Sequence, residues 1–287
     1  MIALENRKTR LELTPEIGGS VARLTFEGRD ILRAARLGSA DPEDTACFAL
    51  VPFANRIGRG AFAFAGENIQ LPCNSGQHSL HGHGWRSAWD VTKRAGGRVT
   101  LAFRHEPDDW PWAYVAEQTF VLMRSGFGVR LSVRNTDRRA MPLSLGFHPY
   151  FPRAKMTGLR ATLGGVWLND GNRLPVSHLD RPLCPEGAGS AVSQIVEIDN
   201  CNTGWGREAV IDMPELGLAI ALRASEPLNF LHLYVPPGAD FFCVEPVSAM
   251  PDAVNRREPS AITGLRTLAA GDVLAVSMTI SANPFSG

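Results

Sequence analysis

The stretch "VRLSVRN", residues 129–135, decides the fold: Val129, Leu131 and Val133 alternate with Arg130, Ser132 and Arg134. Successive side chains of a strand point to opposite faces, so this period of two marks a strand with one apolar and one polar side. "VTLAFRH" (99–105) and "LGLAIALR" (216–223) repeat the pattern. Towards the C-terminal end "VLAVSMTI" (273–280) sets Leu274, Val276, Met278 and Ile280 on one face and the smaller Val273, Ala275, Ser277 and Thr279 on the other. Turn residues separate these runs at Ser125-Gly126, Pro214-Glu215-Leu216-Gly217, Pro236-Pro237-Gly238 and Ala270-Gly271-Asp272, which predicts frequent hairpins. No window of a dozen residues carries a capped helical period, and 28 glycines with 20 prolines punctuate helices badly. The class is all-β, and the expected architecture is a large antiparallel β-sandwich.

A chain of 287 residues, 44% hydrophobic and 20% charged, buries a large core. Its 29 basic and 29 acidic residues cancel, so no net charge draws it to a nucleic acid or an anionic membrane. A small neutral ligand fits better. The start, "MIALENRKTRLEL", lacks the uninterrupted apolar stretch of a signal peptide and reads as mature protein. The longest apolar run, "ACFALVPFA", is about half a membrane-spanning length and contains a proline, so no transmembrane helix is expected. Cys47, Cys73, Cys184, Cys201 and Cys243 are odd in number and lack a CxxC pair, which suits reduced thiols in a cytoplasm, buried as small hydrophobes. Without a linker or a fixed-period repeat, the chain reads as one domain over 1–287. Met156 to Ser193, poor in strand signal, is expected to run over the surface as a folded loop.

Polar residues in apolar settings are the candidates for chemistry. Three histidines cluster in "GQHSLHGHGW": His78, His81 and His83. His81-Gly82-His83 has the HxH form used by metal-binding β-barrels, but such a site needs a carboxylate four or five positions on, and the chain there reads Trp85-Arg86-Ser87-Ala88. No metal site is assigned. The alternative for these histidines is an exposed, glycine-flanked loop. In "LGFHPYF" (145–151) His148 sits between Phe147 and Pro149, and in "FFCVEPV" (241–247) Glu245 ends an apolar run ahead of Pro246. Taken singly, His148 reads as a hydrogen-bonded core histidine and Glu245 as an arginine's partner.

Together with their neighbours they read otherwise. Asn55-Arg56-Ile57, Leu80-His81-Gly82, Gly146-Phe147-His148-Pro149-Tyr150-Phe151, Ile198-Asp199-Asn200-Cys201 and Val244-Glu245-Pro246 stand in order along the chain. In these five signatures the sequence resembles the aldose 1-epimerases, the galactose mutarotase family, from about Ile17 to Thr279. The resemblance implies a supersandwich, a β-sandwich of unusual size, in agreement with the period-two reading. It implies interconversion of the α and β anomers of a free aldose by ring opening and closure, with no cofactor. Glu245 would be the general base and His148 the general acid, with Asn55, Arg56, His81 and Asp199 holding the sugar. Two departures bear on which sugar is preferred: Gly82-His83-Gly84 replaces a plain glycine pair, and Asn202 stands where an aromatic often follows the cysteine.

The chemistry needs a base at the C1 hydroxyl and an acid at the ring oxygen, each within hydrogen-bond reach. Partial burial is expected to raise the Glu245 carboxyl from roughly 4.3, and a nearby carboxylate to raise His148 from roughly 6.5. Arg56 is expected to hold sugar oxygens, and Glu245 as well. Asp199 either grips two adjacent hydroxyls or caps a turn. Trp110 and Trp112, in "DDWPWAY", either stack on a sugar face or pack a rigid aromatic loop on the sandwich. Three further readings stand beside the mutarotase: a non-catalytic carbohydrate-binding sandwich, a metal-dependent cupin-like enzyme using His81 and His83, and an epimerase of phosphorylated or otherwise modified sugars, for which Arg86, Arg153, Arg256 and Arg257 are available. The expected partner is a small-molecule sugar, and the assembly a monomer or homodimer.

Overall fold

The computed structural model describes residues 1–183 and 190–285, so Cys184 lies outside the described residues. Its described residues are nearly all β, and every paired strand is antiparallel to its neighbours. The stretch 129–135 lies in the strand Gly126–Asn135, between Tyr114–Met123 and Val273–Pro284. Val129 faces Met278, Leu131 faces Val276 and Val133 faces Leu274, so the two alternating apolar sets share one face. That register is fixed because a slip of one residue would turn both sets to solvent.

These strands are the middle of a nine-stranded sheet that continues through Leu218–Ala224, Glu208–Met213 and Gly158–Ala161. It packs on an eleven-stranded sheet, whose path runs Ile2–Glu5, Thr9–Thr14, Ser20–Phe26, Cys47–Leu50, Gly146–Pro152, Phe241–Val247, Phe230–Val235, Ile198–Thr203, Gly165–Asn169 and Pro175–Leu179, with Arg29–Asp30 beside Ser20–Phe26. One hydrophobic cluster between the sheets joins residues from Leu4 to Ala282. The predicted turns at 214–217, 236–238 and 270–272 fall between strands, and that at 125–126 ends on Gly126, the first residue of its strand. Among the described residues the only α-helix is the single turn Ser260–Thr263, and no helix is long and apolar enough to cross a membrane. The apolar run 46–54 supplies the buried strand Cys47–Leu50.

Two expectations need correction. Met156 to Ser193 is not a bare loop: it holds Gly158–Ala161, Gly165–Asn169 and Pro175–Leu179, which extend the edges of both sheets. Each has only four or five residues, too few for alternation to register before a glycine or proline interrupts it. Of the thiols, Cys47, Cys201 and Cys243 are buried as expected, whereas Cys73 is exposed.

The eleven-stranded sheet is covered on both sides, and this creates the site. Phe147, Phe151, Leu231, Leu233, Phe242 and Val244 face the inter-sheet core. By alternation, His148, Tyr150, His232, Tyr234, Cys243 and Glu245 face the opposite way. A second cluster covers that face with Phe48, Trp85, Tyr150, Trp167 and Phe230.

Candidate active site

Ladder register sets the side chains in transverse rows. Phe48 lies opposite His148, Glu245 opposite His232, and His232 opposite Cys201. The pairs Gly146 with Val247 and Tyr150 with Cys243 bring His148 opposite Glu245, completing one row across five strands. Beside it runs a second row, Tyr150, Cys243, Tyr234 and Asp199. Pro149 and Pro246 bring no N–H to the ladder next to the histidine–glutamate pair. The strand nevertheless runs past Glu245 to Val247, so the carboxylate stands inside the sheet rather than at a strand terminus.

His148 Nε2 lies 3.3 Å from Glu245 Oε1, with both side chains almost fully buried. The imidazole is stacked between Phe48 and Tyr150, with ring centroids at 4.7 and 4.6 Å, and meets the edge of His81 at 5.3 Å. Burial holds the Glu245 carboxyl well above its usual range; Asp199 adds to this and Arg56 opposes it. Burial also pushes His148 down to about 3, with His232 acting in the same direction. This reverses the expected rise for His148. Desolvation penalises an ion pair in a dry site more than the attraction across it repays. The pair therefore rests in its neutral form, a carboxylic acid 3.3 Å from a neutral imidazole. Glu245 Oε2 and His148 Nδ1 are buried without a hydrogen-bond partner.

The binding residues expected from the sequence converge on the same place. A cavity of about 250 Å³ is lined by Asn55, Arg56, His81, His148, Asp199 and Glu245, among others. Pockets for drug-sized ligands run to roughly 300–1,000 Å³, so this smaller space suits a ligand the size of a single sugar ring. The Asn55 amide donates to His81 Nδ1 at 3.1 Å, and the His81 amide returns a bond to the Asn55 carbonyl at 2.9 Å. Both residues hold left-handed backbone, φ 59° and 61°. Burial, followed by His148, lowers His81 well below its ordinary value. The neutral ring, with Nδ1 accepting, carries its proton on Nε2. Asn55 Oδ1 accepts from the Arg56 amide at 2.8 Å, which leaves its Nδ2 near His232.

Asp199 anchors the far wall from the strand Ile198–Thr203, which disposes of the turn-cap alternative. Its carboxylate accepts from Arg56 at 3.2 Å, Arg173 at 2.9 Å and His232 at 2.8 Å. Burial would raise its carboxyl, but the His232 bond and both guanidiniums together hold it far below the usual range. Arg56 thus pairs with Asp199, and its expected bond to Glu245 is not formed. The guanidinium reaches the nearer carboxylate, while Glu245 stays protonated in its dry row.

His232, Arg173 and Tyr234 line the cavity and were not singled out from the sequence. His232 and Tyr234 carry the same signal as the fold: in "FLHLYV" (230–235) they alternate with Leu231, Leu233 and Val235. Arg173 lies in the 156–193 segment and has no such signal.

Other expectations do not reach the site. Trp110 and Trp112 are buried against Phe62 and do not line this cavity, so the packing reading holds. His78 and His81 are buried rather than displayed on an exposed loop. His83 turns away from His81 and meets His105 at 2.9 Å beside a second cavity, so the HxH pair does not converge. Burial and the neighbouring His105 push His83 down to about 4. Arg86 stacks on Trp85, Arg153 bonds the Pro236 carbonyl at 3.3 Å and Arg256 pairs with Glu258 at 2.6 Å. Neither these nor Arg257 line the cavity, so they form no phosphate clamp there. Asn202 is buried and donates to the Leu231 carbonyl at 3.0 Å.

Similarity to known proteins agrees with this geometry. The chain is 29% identical over 272 residues to the uncharacterised Escherichia coli (strain K12) protein YphB, covering 91% of this chain and 92% of that protein. It is 29% identical over 266 residues to YihR of the same organism, covering 83% and 81%. The structure of a putative aldose 1-epimerase from E. coli K12 superposes with a TM-score of 0.88 at 28% identity, covering 99% of this chain and 98% of that one. A galactose mutarotase-like protein from Clostridium acetobutylicum, 19% identical, shares the fold with a TM-score of 0.90 over 99% and 95% of the two chains. The sequence model described as aldose 1-epimerase matches residues 1–281, nearly the whole chain and every residue of the rows above, and the protein belongs to that family.

Proposed function

We propose that this protein is a mutarotase, interconverting the α and β anomers of a free aldose with Glu245 as base and His148 as acid. The observation that carries the reading is the 3.3 Å contact of these two groups in a sugar-sized cavity, each keeping a buried polar atom without a protein partner. Ring opening removes a proton from the C1 hydroxyl and delivers one to the ring oxygen, so it neither gains nor loses protons overall. A pair that shares one proton matches that need.

The hydroxyls of a bound sugar replace some of the solvation that burial removes and let the proton move to His148. Glu245 then takes the C1 hydroxyl proton while His148 protonates the ring oxygen. This returns the pair to the neutral form that its dry surroundings favour, so ring opening is downhill for the protein groups. Rotation about C1–C2 presents the other aldehyde face, and the reverse transfers close the ring. Arg56, Asn55, the His81 Nε2–H and Asp199 orient the hydroxyls. Acid and base each supply about two to four orders of magnitude, enough for a reaction that already proceeds slowly in water.

Anomer exchange followed by NMR over a panel of aldoses tests the reading. Wild-type protein that binds aldoses yet leaves the spontaneous rate unchanged would sink it and favour a carbohydrate-binding sandwich.

A further inference from the structure

We propose that His148, Cys243 and Glu245 also form an inhibitory site for a thiophilic divalent cation, Zn²⁺ being the type, which occupies the catalytic pair in competition with the sugar. An imidazole nitrogen, a sulfur and a carboxylate oxygen of these residues all lie within 4.8 Å of one another. Two ligands on a tetrahedral zinc, bonded at about 2.0–2.1 Å, stand roughly 3.3–3.4 Å apart. His148 Nε2 and Glu245 Oε1 already stand at 3.3 Å. Cys243 precedes Glu245 by two positions on the same strand, so its sulfur lies on the same face, opposite Tyr150.

Charge favours the complex. A thiolate and a carboxylate cancel the two charges of the ion, and the imidazole is neutral, so no net charge is buried. Binding forms three coordinate bonds and breaks the Cys243 S–H and Glu245 O–H bonds, so two protons leave to solvent. His148 and Glu245 line the cavity, from which water or a sugar oxygen would supply the fourth ligand. His148 Nδ1 has no acceptor, whereas the histidines of resident metal sites have one. The site thus suits a reversible inhibitor rather than a permanent ion, and the mixed sulfur and nitrogen set selects against Mg²⁺ and Ca²⁺.

Inhibition rests on the acid–base reading above; metal binding does not, and the two are tested by separate measurements. Co²⁺ is titrated into protein carrying Cys73→Ser and Cys184→Ser, which leaves only the buried thiols Cys47, Cys201 and Cys243, and thiolate-to-cobalt charge-transfer absorption is recorded. The band is expected, is displaced by Zn²⁺, and disappears in Cys243→Ala and Cys243→Ser. No band, or a band that survives both substitutions, overturns the site. In parallel, Zn²⁺ is expected to stop anomer exchange reversibly, with chelator restoring it and Mg²⁺ without effect, and the Cys243 variants need at least ~10-fold more Zn²⁺. Exchange insensitive to Zn²⁺ while the band forms overturns the inhibition; wild-type exchange absent without metal overturns the mutarotase reading and leaves the band to decide the site.

Discussion

His232 lies directly across the ladder from Glu245, yet its Nε2 bonds Asp199 in the neighbouring row at 2.8 Å. It is thus the brace between the row proposed for catalysis and the wall proposed to hold the sugar. His232→Ala should free Asp199 on one side and leave it to Arg56 and Arg173. The expected result is a KM raised roughly 10-fold or more, with a smaller fall in kcat, as a lost bond worth about 1.5–3 kcal/mol implies. Steady-state anomer exchange of the purified variant checks this; an unchanged KM would remove His232 from the binding wall.

Glu245→Gln and His148→Asn should each lower kcat by roughly 10²–10⁴-fold. The double variant should be little worse than either, because one proton serves both groups and losing either partner stops its transfer. Additive losses, measured by the same NMR exchange, would mean that the two residues act independently.

Rate against pH follows from the neutral pair. In the free enzyme a second proton enters only as pH approaches about 3, where His148 is charged. Loss of the shared proton comes only well above the ordinary carboxylate range, because burial raises Glu245. A plot of kcat/KM should therefore fall on the acid side only as pH approaches about 3, and on the alkaline side only well above the ordinary carboxylate range, once spontaneous exchange is subtracted. An acid limb that already breaks near pH 6.5, the ordinary histidine value, would contradict the burial argument.

Stability gives an independent test with opposite sign. Glu245 has a raised folded value, so the folded state keeps a proton that the unfolded chain releases above roughly pH 4.3. Its contribution is therefore increasingly unfavourable as pH rises from there towards neutrality. Glu245→Gln removes that penalty while killing activity, and should raise stability at pH 7–8 by about 1–2 kcal/mol, a few degrees in Tm. At pH 4 the gain should shrink towards zero. Thermal melts at both values decide it.

Gly82→Ala probes the loop that aims His81. Gly82 has φ +68°, and a Cβ there would meet the Val51 carbonyl and the Pro52 ring at 2.5 Å. The backbone must shift, so the variant should lose about 2–4 kcal/mol and displace His81. Gly28→Ala, also at positive φ but with open space around the added carbon, should cost only about 1–2 kcal/mol and leave activity intact. Denaturant melts with activity assays separate the two.

Much of this was legible in the sequence because the fold and the site obey one rule. Alternation in 129–135 and 273–280 gave the strands, and alternation in "LGFHPYF" and "FFCVEPV" sends His148 and Glu245 to the face opposite Phe147 and Val244. Which strands become neighbours is a matter of register between distant segments, and no local pattern carries it. His232 went unnoticed for that reason. The direction of the His148 shift was misjudged because a nearby carboxylate is visible in a motif, whereas the depth of the surrounding aromatic packing is not. Edge strands in 156–193 were missed because four residues are too few to display a period, and Arg173 went with them.

The transverse row also bears on how the protein matures. Phe48, His148, Cys201, His232 and Glu245 come from segments spread over two thirds of the chain, and they meet only when strands from both halves have joined the same sheet. Such distant pairings form slowly. A nascent chain still emerging from the ribosome, or one cut before residue 245, lacks the glutamate of the proposed acid–base pair, so on that mechanism turnover would report on completed assembly of the sheet.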